Sequence, residues 1–202
     1  MTLWLAEAPL VLASKSEVRR AVLTAAGIPT EVYPADIDER AVEAGAGLAD
    51  PGEIAALLAG QKARVIAAQL PGRLVLGADQ TLALGARRFS KPVDRATGRQ
   101  QLLALRGQTH ALHAAIALAR DDKIVFAHRE AAQLTMRTFS EEFLDAYLDA
   151  AGAAVTASVG GYQLEKIGIQ LFERIDGDHF VILGLPLFAL LQFLRREGCL
   201  AE

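Results

Sequence analysis

Two short runs carry the residues best suited to chemistry on a phosphorylated substrate: Gly77-Ala78-Asp79 and Lys91-Pro92. A carboxylate can orient or deprotonate a water, and an ammonium can offset the charge of a phosphate. The apolar run Leu74-Val75-Leu76 reads as a strand that stops at Gly77, where the backbone can turn or approach a ligand closely. Asp79 would then lie at the carboxyl end of that strand, where ligands bind in open α/β sheets. The same residues also fit an ordinary strand, an exposed loop and a surface salt bridge.

Three other groups could join them. Ser14-Lys15-Ser16 follows an apolar run at 9–13 and precedes a helix predicted over 17–26, with Arg19 and Arg20 close by. Ser16 either caps that helix or, with the free N–H groups and basic side chains, helps to bind an anion; the two roles share one geometry. The loop is not a Walker A sequence, because it lacks the glycines and the Gly-Lys-Ser/Thr ending. Asp36, Asp38 and Glu39 follow a predicted strand at 31–34, and read either as a solvated helix start or as a metal site. Lys62 lies on a helix that Asp50-Pro51-Gly52-Glu53 starts and that runs to about Gln69; a lone lysine on such a helix ordinarily faces water.

The elements around these groups describe an α/β chain. A helix capped by Asp94 ends near Gly107, and two long β segments at 109–119 and 124–138 form a hairpin around Arg120-Asp121-Asp122-Lys123. Ser140 caps a helix over 141–150. A glycine-hinged loop at 159–165 carries Glu165, a β-like segment over 169–182 turns at Asp176-Gly177-Asp178, and Pro186 opens a closing helix that ends at Gly198. His110 and His113 fall on opposite faces of one strand, and His128 and His179 are isolated, which argues against a histidine metal site. The 202 residues, 52% hydrophobic and 22% charged, are a globular composition, and the net charge of -3 argues against a nucleic-acid or anionic-membrane partner. No uncharged run is long enough to span a bilayer, the first twelve residues lack a signal-peptide pattern, and the single Cys199 excludes an internal disulfide. A cytoplasmic location is expected.

In order, Leu12-Ala13-Ser14-x-Ser16-x-x-Arg19-Arg20, Asp38-Glu39, Lys62-Ala63, Gly77-Ala78-Asp79 with Lys91-Pro92, Gly160-Gly161-Tyr162 and Gly184-Leu185-Pro186-Leu187 resemble the Maf family of nucleoside triphosphate pyrophosphatases. The resemblance covers nearly the whole chain, and six ordered motifs are far more specific than any one of them. It implies a single domain over 1–202, with an elongated mixed β-sheet, flanking helices and a deep central cleft between two lobes. That α/β fold is related to the inosine triphosphate pyrophosphatases and is often dimeric.

The implied activity is hydrolysis of nucleoside triphosphates to monophosphate and diphosphate in nucleotide house-cleaning, with a divalent metal cation, Mg²⁺ or Mn²⁺. By the same resemblance Ser14, Ser16, Arg19, Arg20, Lys62 and Lys91 bind the substrate, Asp79 is the general base, and Glu39 and Asp79 hold the metal. Val18 stands where relatives carry Arg or Trp, whereas Gln80 and Glu165 resemble the branch that acts on 7-methylguanosine triphosphate. A nucleotide-binding regulator of cell division, with no required turnover, would use the same pocket; the presence of Asp79, Lys62 and Lys91 together favours the enzyme.

Overall fold

The computed structural model describes residues 3–121 and 123–202, so the first two residues of the N-terminal segment and Asp122 of the predicted hairpin turn lie outside it. Along the chain come β1 (Leu10–Leu12), α1 (Glu17–Ala25), β2 (Thr30–Val32), α2 (Glu39–Ala46), α3 (Pro51–Ala67), β3 (Val75–Leu84), β4 (Arg87–Phe89) and α4 (Arg95–Leu105). They are followed by β5 (Thr109–Arg120), β6 (Lys123–Met136), α5 (Glu141–Ala151), α6 (Ala154–Ala157), β7 (Phe172–Asp176), α7 (His179–Ile182) and α8 (Leu187–Arg196). The predicted caps do their work: Ser16, Asp50, Asp94 and Ser140 each accept a backbone N–H at the start of a helix, and Asp38 does the same for α2.

One mixed sheet joins these elements in the order β2-β1-β3-β5-β6-β7, with β4 paired to β3. β1 runs parallel to β2 and to β3, and the other pairings are antiparallel. Alternation of side chains sorts the residues between its two faces. Leu10, Leu12, Leu76, Ala78, Ile116 and Leu118 pack with α1 and α8 residues such as Leu23, Leu190 and Phe193. Further along that face Leu82, Leu112 and Leu134 pack with α4 and α5 through Leu102, Leu144 and Leu148. Gln80 lies on β3 between the two clusters, so one strand serves both.

The opposite face meets α3 through small residues. Ala55, Ala59, Ala63 and Ala67 recur every fourth position and pack on Ala115, Ala117 and Ala119 of β5. With so little side chain between them, helix and sheet come close together. They come closest at Gly77: a Cβ there would collide with the carbonyl oxygen of Ala59 and lie 2.7 Å from the backbone nitrogen of Ala63. The strand therefore does not stop at Gly77, contrary to the sequence expectation. β3 continues to Leu84 and pairs with β5 from Val75 to Ala83 without a break. The glycine is required for close approach, but to a helix and not to a ligand.

Two other expectations are corrected. The segment at 167–171 is a 3-10 turn, and His179–Ile182 is a helical turn capped by Asp178, so only Phe172–Asp176 is strand. Asp178 accepts the N–H groups of Phe180 and Val181, which favours a helix start over a hairpin. The glycines of the 159–165 loop are buried at φ +77° and +78°, and a Cβ at Gly160 would lie 2.6 Å from Leu82, so this segment is packed in place and is not a hinge.

Gly77→Ala is expected to push α3 off the sheet. The colliding atoms are backbone, so the cost should reach or exceed the upper end of the overpacking range, about 3 kcal/mol. Chemical denaturation of the variant beside the wild type measures this, and unchanged stability would show that helix and strand are not locked at Gly77.

Candidate active site

A cleft of about 1040 Å³ opens beside the middle of β3, where Asp79, Gln80 and Thr81 line it. It begins where β1 ends and β3 does not: the ladder closes with Ala13 N–H donating to the Leu76 carbonyl at 2.8 Å, and β4 joins β3 only from Leu82. Along the free edge between them, Arg19 Nη1 donates to the carbonyl of Ala78 at 2.9 Å. Its Nε donates to the carbonyl of Gly184 at 2.8 Å, and Nη1 also reaches Ser14 Oγ at 3.2 Å. Arg19 is thus an internal brace in place of the missing strand, linking α1, β3 and the turn before α8. Burial lowers its pKa, while the charges of Asp79 and Glu39 oppose that shift.

Lys62 and Asp79 are the two most buried charged groups of the cleft, at 9% and 8% exposure. Lys62 Nζ lies 2.6 Å from Asp79 Oδ1 and 2.6 Å from Glu39 Oε1. The close approach at Gly77 brings this about, because Lys62 projects from α3 beside Ala59 and Ala63 towards a strand residue two positions beyond the glycine. Thr81 Oγ1, two positions further on, donates to the Pro51 carbonyl at 2.8 Å and ties down the start of α3. Lys62 is therefore not the exposed helical lysine that sequence reasoning expects. Burial raises the Asp79 pKa above its ordinary value, against the pull of Lys62 and then Arg19. Asp79 Oδ2 has no hydrogen-bond partner among the described residues, and Asp79 lines the cleft.

Ser14, Ser16, Val18, Lys91, Gln80 and Glu165 also line the cleft. Ser16 Oγ accepts the N–H of Arg19 at 3.3 Å and so caps α1, whose first turn faces the same space. Lys91 is exposed on a segment held by buried Pro92 and by Gln101, which donates to the Ser90 carbonyl at 2.9 Å. Gln80 is less free than its position suggests, because its Nε2 donates to the carbonyls of Val181 and Ile182, each at 3.0 Å. Arg20 is exposed and is not brought into the cleft wall.

Sequence reasoning missed Arg40, Glu43 and Arg88, which also line the cleft. It also missed a buried pair beneath the Gly160-Gly161-Tyr162 segment, where His110 Nε2 and the Tyr162 hydroxyl lie 2.7 Å apart. Burial lowers the His110 pKa to about 4, so the ring is neutral at physiological pH. One sequence signal could have marked Lys62: Ile54, Leu58, Lys62 and Ile66 form a four-residue stripe whose other members are all buried. A lysine on such a stripe is buried with partners or the stripe is broken.

The donor set fits a hard divalent cation. Two carboxylates, Glu39 and Asp79, already converge on one cationic atom. Among the described residues no group of three or more His, Cys, Asp or Glu could hold a metal ion by itself. Mg²⁺ is commonly bound in this way, by one or two carboxylates with substrate phosphates and waters completing its shell. Among the described residues no helix is long and apolar enough to cross a membrane.

The family described as Maf-like protein matches residues 9–197. A nucleoside triphosphate pyrophosphatase of Rhodopseudomonas palustris (strain HaA2) is 58% identical over 201 residues, which is 100% of both chains. One from Nitrobacter winogradskyi is 52% identical over the same coverage, and one from Paramagnetospirillum magneticum is 52% identical over 93% of this chain and 98% of its own. Among solved structures, a HAM1 protein from Coxiella burnetii overlaps 63% of this chain and 72% of its own, with TM-score 0.43 and 21% identity.

Removing Lys62 leaves Asp79 buried without its nearest cation. Lys62→Ala is therefore expected to cost on the order of 3 kcal/mol, far more than the loss of an exposed lysine. Thermal unfolding at neutral pH checks this, with Lys91→Ala as the exposed comparison; equal, negligible shifts would contradict the buried pair.

Proposed function

The chain belongs to the Maf family, and we propose that it is a hydrolase that cleaves nucleoside triphosphates to nucleoside monophosphate and diphosphate. The observation that carries this reading is the Asp79 carboxylate, held by Lys62 on one oxygen and with no partner on the other among the described residues, in the wall of the cleft. The cleft volume of about 1040 Å³ is ample for a nucleotide.

In the proposed reaction a water attacks the α-phosphorus. The bond from water oxygen to phosphorus forms, the bridging bond to the β-phosphate breaks, and diphosphate leaves with that oxygen. The proton of the attacking water passes to Asp79 Oδ2. Lys62 fixes the orientation of the carboxylate through Oδ1, and with Arg19 it favours the ionised form that can accept a proton. Burial works the other way and makes that form more basic than a surface carboxylate, which suits a general base. Glu39 and Asp79 would hold Mg²⁺ or Mn²⁺, which when bound offsets charge on the triphosphate. Lys15, Lys91 and the first turn of α1 face the same space and supply further positive potential.

For the base we propose guanine-type substrates, including 7-methylguanosine triphosphate, ahead of thymidine and uridine triphosphates. Glu165 in the cleft wall can accept the adjacent ring N–H and amine of guanine, and methylation adds positive charge to the purine. Thymine and uracil present one N–H between two carbonyl oxygens, which a carboxylate repels. Gln80 contributes less than its position promises, since its amide nitrogen is engaged by α7. Val18 offers no flat aromatic surface for stacking, so discrimination should be loose.

Asp79→Asn is expected to bind nucleotide and lose about 10²–10⁴-fold in kcat. In the wild type, kcat/KM should fall on the acid side as Asp79 becomes protonated and can no longer accept the proton of the attacking water. Diphosphate release followed against pH tests both, and full turnover by the Asn variant would remove Asp79 as the base. Tight nucleotide binding with no diphosphate released by the wild type would favour the regulator instead.

The choice of base is tested by kcat/KM for 7-methylguanosine, guanosine, thymidine and uridine triphosphates in the wild type and Glu165→Gln. The guanine-type substrates should lead, and their lead should shrink in the variant. A wild-type preference for thymidine or uridine triphosphate would overturn the role given to Glu165 and leave the hydrolase reading intact.

A further inference from the structure

The helix that carries Glu39 is held unlike any other helix of its length in the chain. None of the eight residues of α2 is buried, and only Val42 and Glu43 are half-buried. Hydrophobic burial is what ordinarily fixes a short helix in place, because helices of this length are unstable by themselves. Here two ion pairs stand in its stead. Glu39 Oε1 lies 2.6 Å from Lys62 Nζ, and one turn further on Glu43 Oε2 lies 2.9 Å from Arg88 Nη2. The spacing of four puts both carboxylates on one face of the helix, the face turned to the cleft that both residues line.

The partner of Glu43 is well anchored. Arg88 lies on β4 opposite Ala83 of β3, and the next residue, Phe89, is buried in the cluster of Leu82, Leu102 and Leu144. Alternation along β3 puts Ala83 on the same sheet face as Asp79 and Thr81. Arg88 thus reaches α2 from the far side of Lys62.

We propose that Glu43 and Arg88 are positioning residues: their ion pair docks α2 across the mouth of the cleft and thereby sets the Glu39 carboxylate against Lys62 and Asp79. Neither residue touches the reacting atoms. In its kinetic consequences the proposal rests on the pyrophosphatase reading, while the docking of α2 is independent of it. A rival role for Arg88, direct contact with substrate phosphate, gives the opposite sign for one variant: loss of Glu43 would then free Arg88 and improve substrate use.

The test compares Glu43→Gln, Arg88→Gln and the charge-swapped double variant Glu43→Arg/Arg88→Glu. Backbone hydrogen exchange over α2, the melting temperature, kcat/KM and the half-saturating Mg²⁺ concentration are measured for each. An ion pair of this exposure shifts an equilibrium about two- to fivefold. Each single variant should speed exchange in α2 by about that factor, raise the half-saturating Mg²⁺ concentration and lower kcat/KM to match, with the melting temperature unchanged. The swapped pair should restore all three. Unchanged exchange in the single variants, an increase of kcat/KM in Glu43→Gln, or no recovery in the swapped pair would overturn the proposal. If no variant and no wild type releases diphosphate, the exchange data still decide on the docking of α2, and the reading of the activity fails separately.

Discussion

The site depends on how closely α3 lies on β3. A helix resting on a sheet through alanines sits nearer than one resting on leucines, and Gly77 takes away the last obstacle at the point of contact. Every other feature of this corner of the cleft follows from that distance. A lysine side chain from the helix can reach a strand carboxylate, both groups leave solvent together, and neither is left unpaired. Burial of a lone lysine or a lone aspartate would be prohibitive; buried as a pair, with Glu39 completing the set at the cleft edge, they are tolerated. The alanine stripe is thus as much a part of the site as the charges it brings together.

A second constraint comes from the sheet. Parallel pairing of β1 with β3 ends before β3 does, and the open edge beyond it is what makes a cleft possible. An open edge exposes unpaired carbonyls, and Arg19 satisfies the one at Ala78. This explains why a residue expected to bind phosphate has its Nε and Nη1 turned inward. Its charge still contributes, because it stands near Asp79 and favours the ionised carboxylate.

Much of this was legible in the sequence, and the rest was hidden for physical reasons. Caps were legible because a side-chain oxygen before a helix has few other things to do: Ser16, Asp50, Asp94 and Ser140 all behaved as their spacing implied. The long hairpin of β5 and β6 was legible from its two apolar-rich runs and polar turn. Gly77 was misread because a glycine in a strand has three possible causes, and only the tertiary partner tells a turn from a ligand from a helix. Lys62 was misread because charge was weighed before position, although its stripe-mates Ile54, Leu58 and Ile66 were in plain view. Glu43 and Arg88 carry no motif at all, and their meeting depends on how α2 and β4 lie across the cleft. Residues at 179–182 were read as strand because three of the four, Phe180, Val181 and Ile182, are apolar, when the local cap at Asp178 turns them into a helix.

The different pairing of the strands also has a consequence for the order of assembly. β5 and β6 meet across a tight turn, and β3 reaches β5 across one hairpin and one helix, so these contacts close short loops. β1 can reach β3 only after the chain has passed through β2, α2 and α3, and bringing such distant segments together costs more loop-closure entropy. By that cost, the antiparallel half of the sheet is the natural early structure and the parallel seam a late one. Ser14, Arg19 and the free edge of β3 all belong to the seam. A chain still on its way to the native state can therefore possess most of its sheet and a buried core while having nowhere for a substrate to bind.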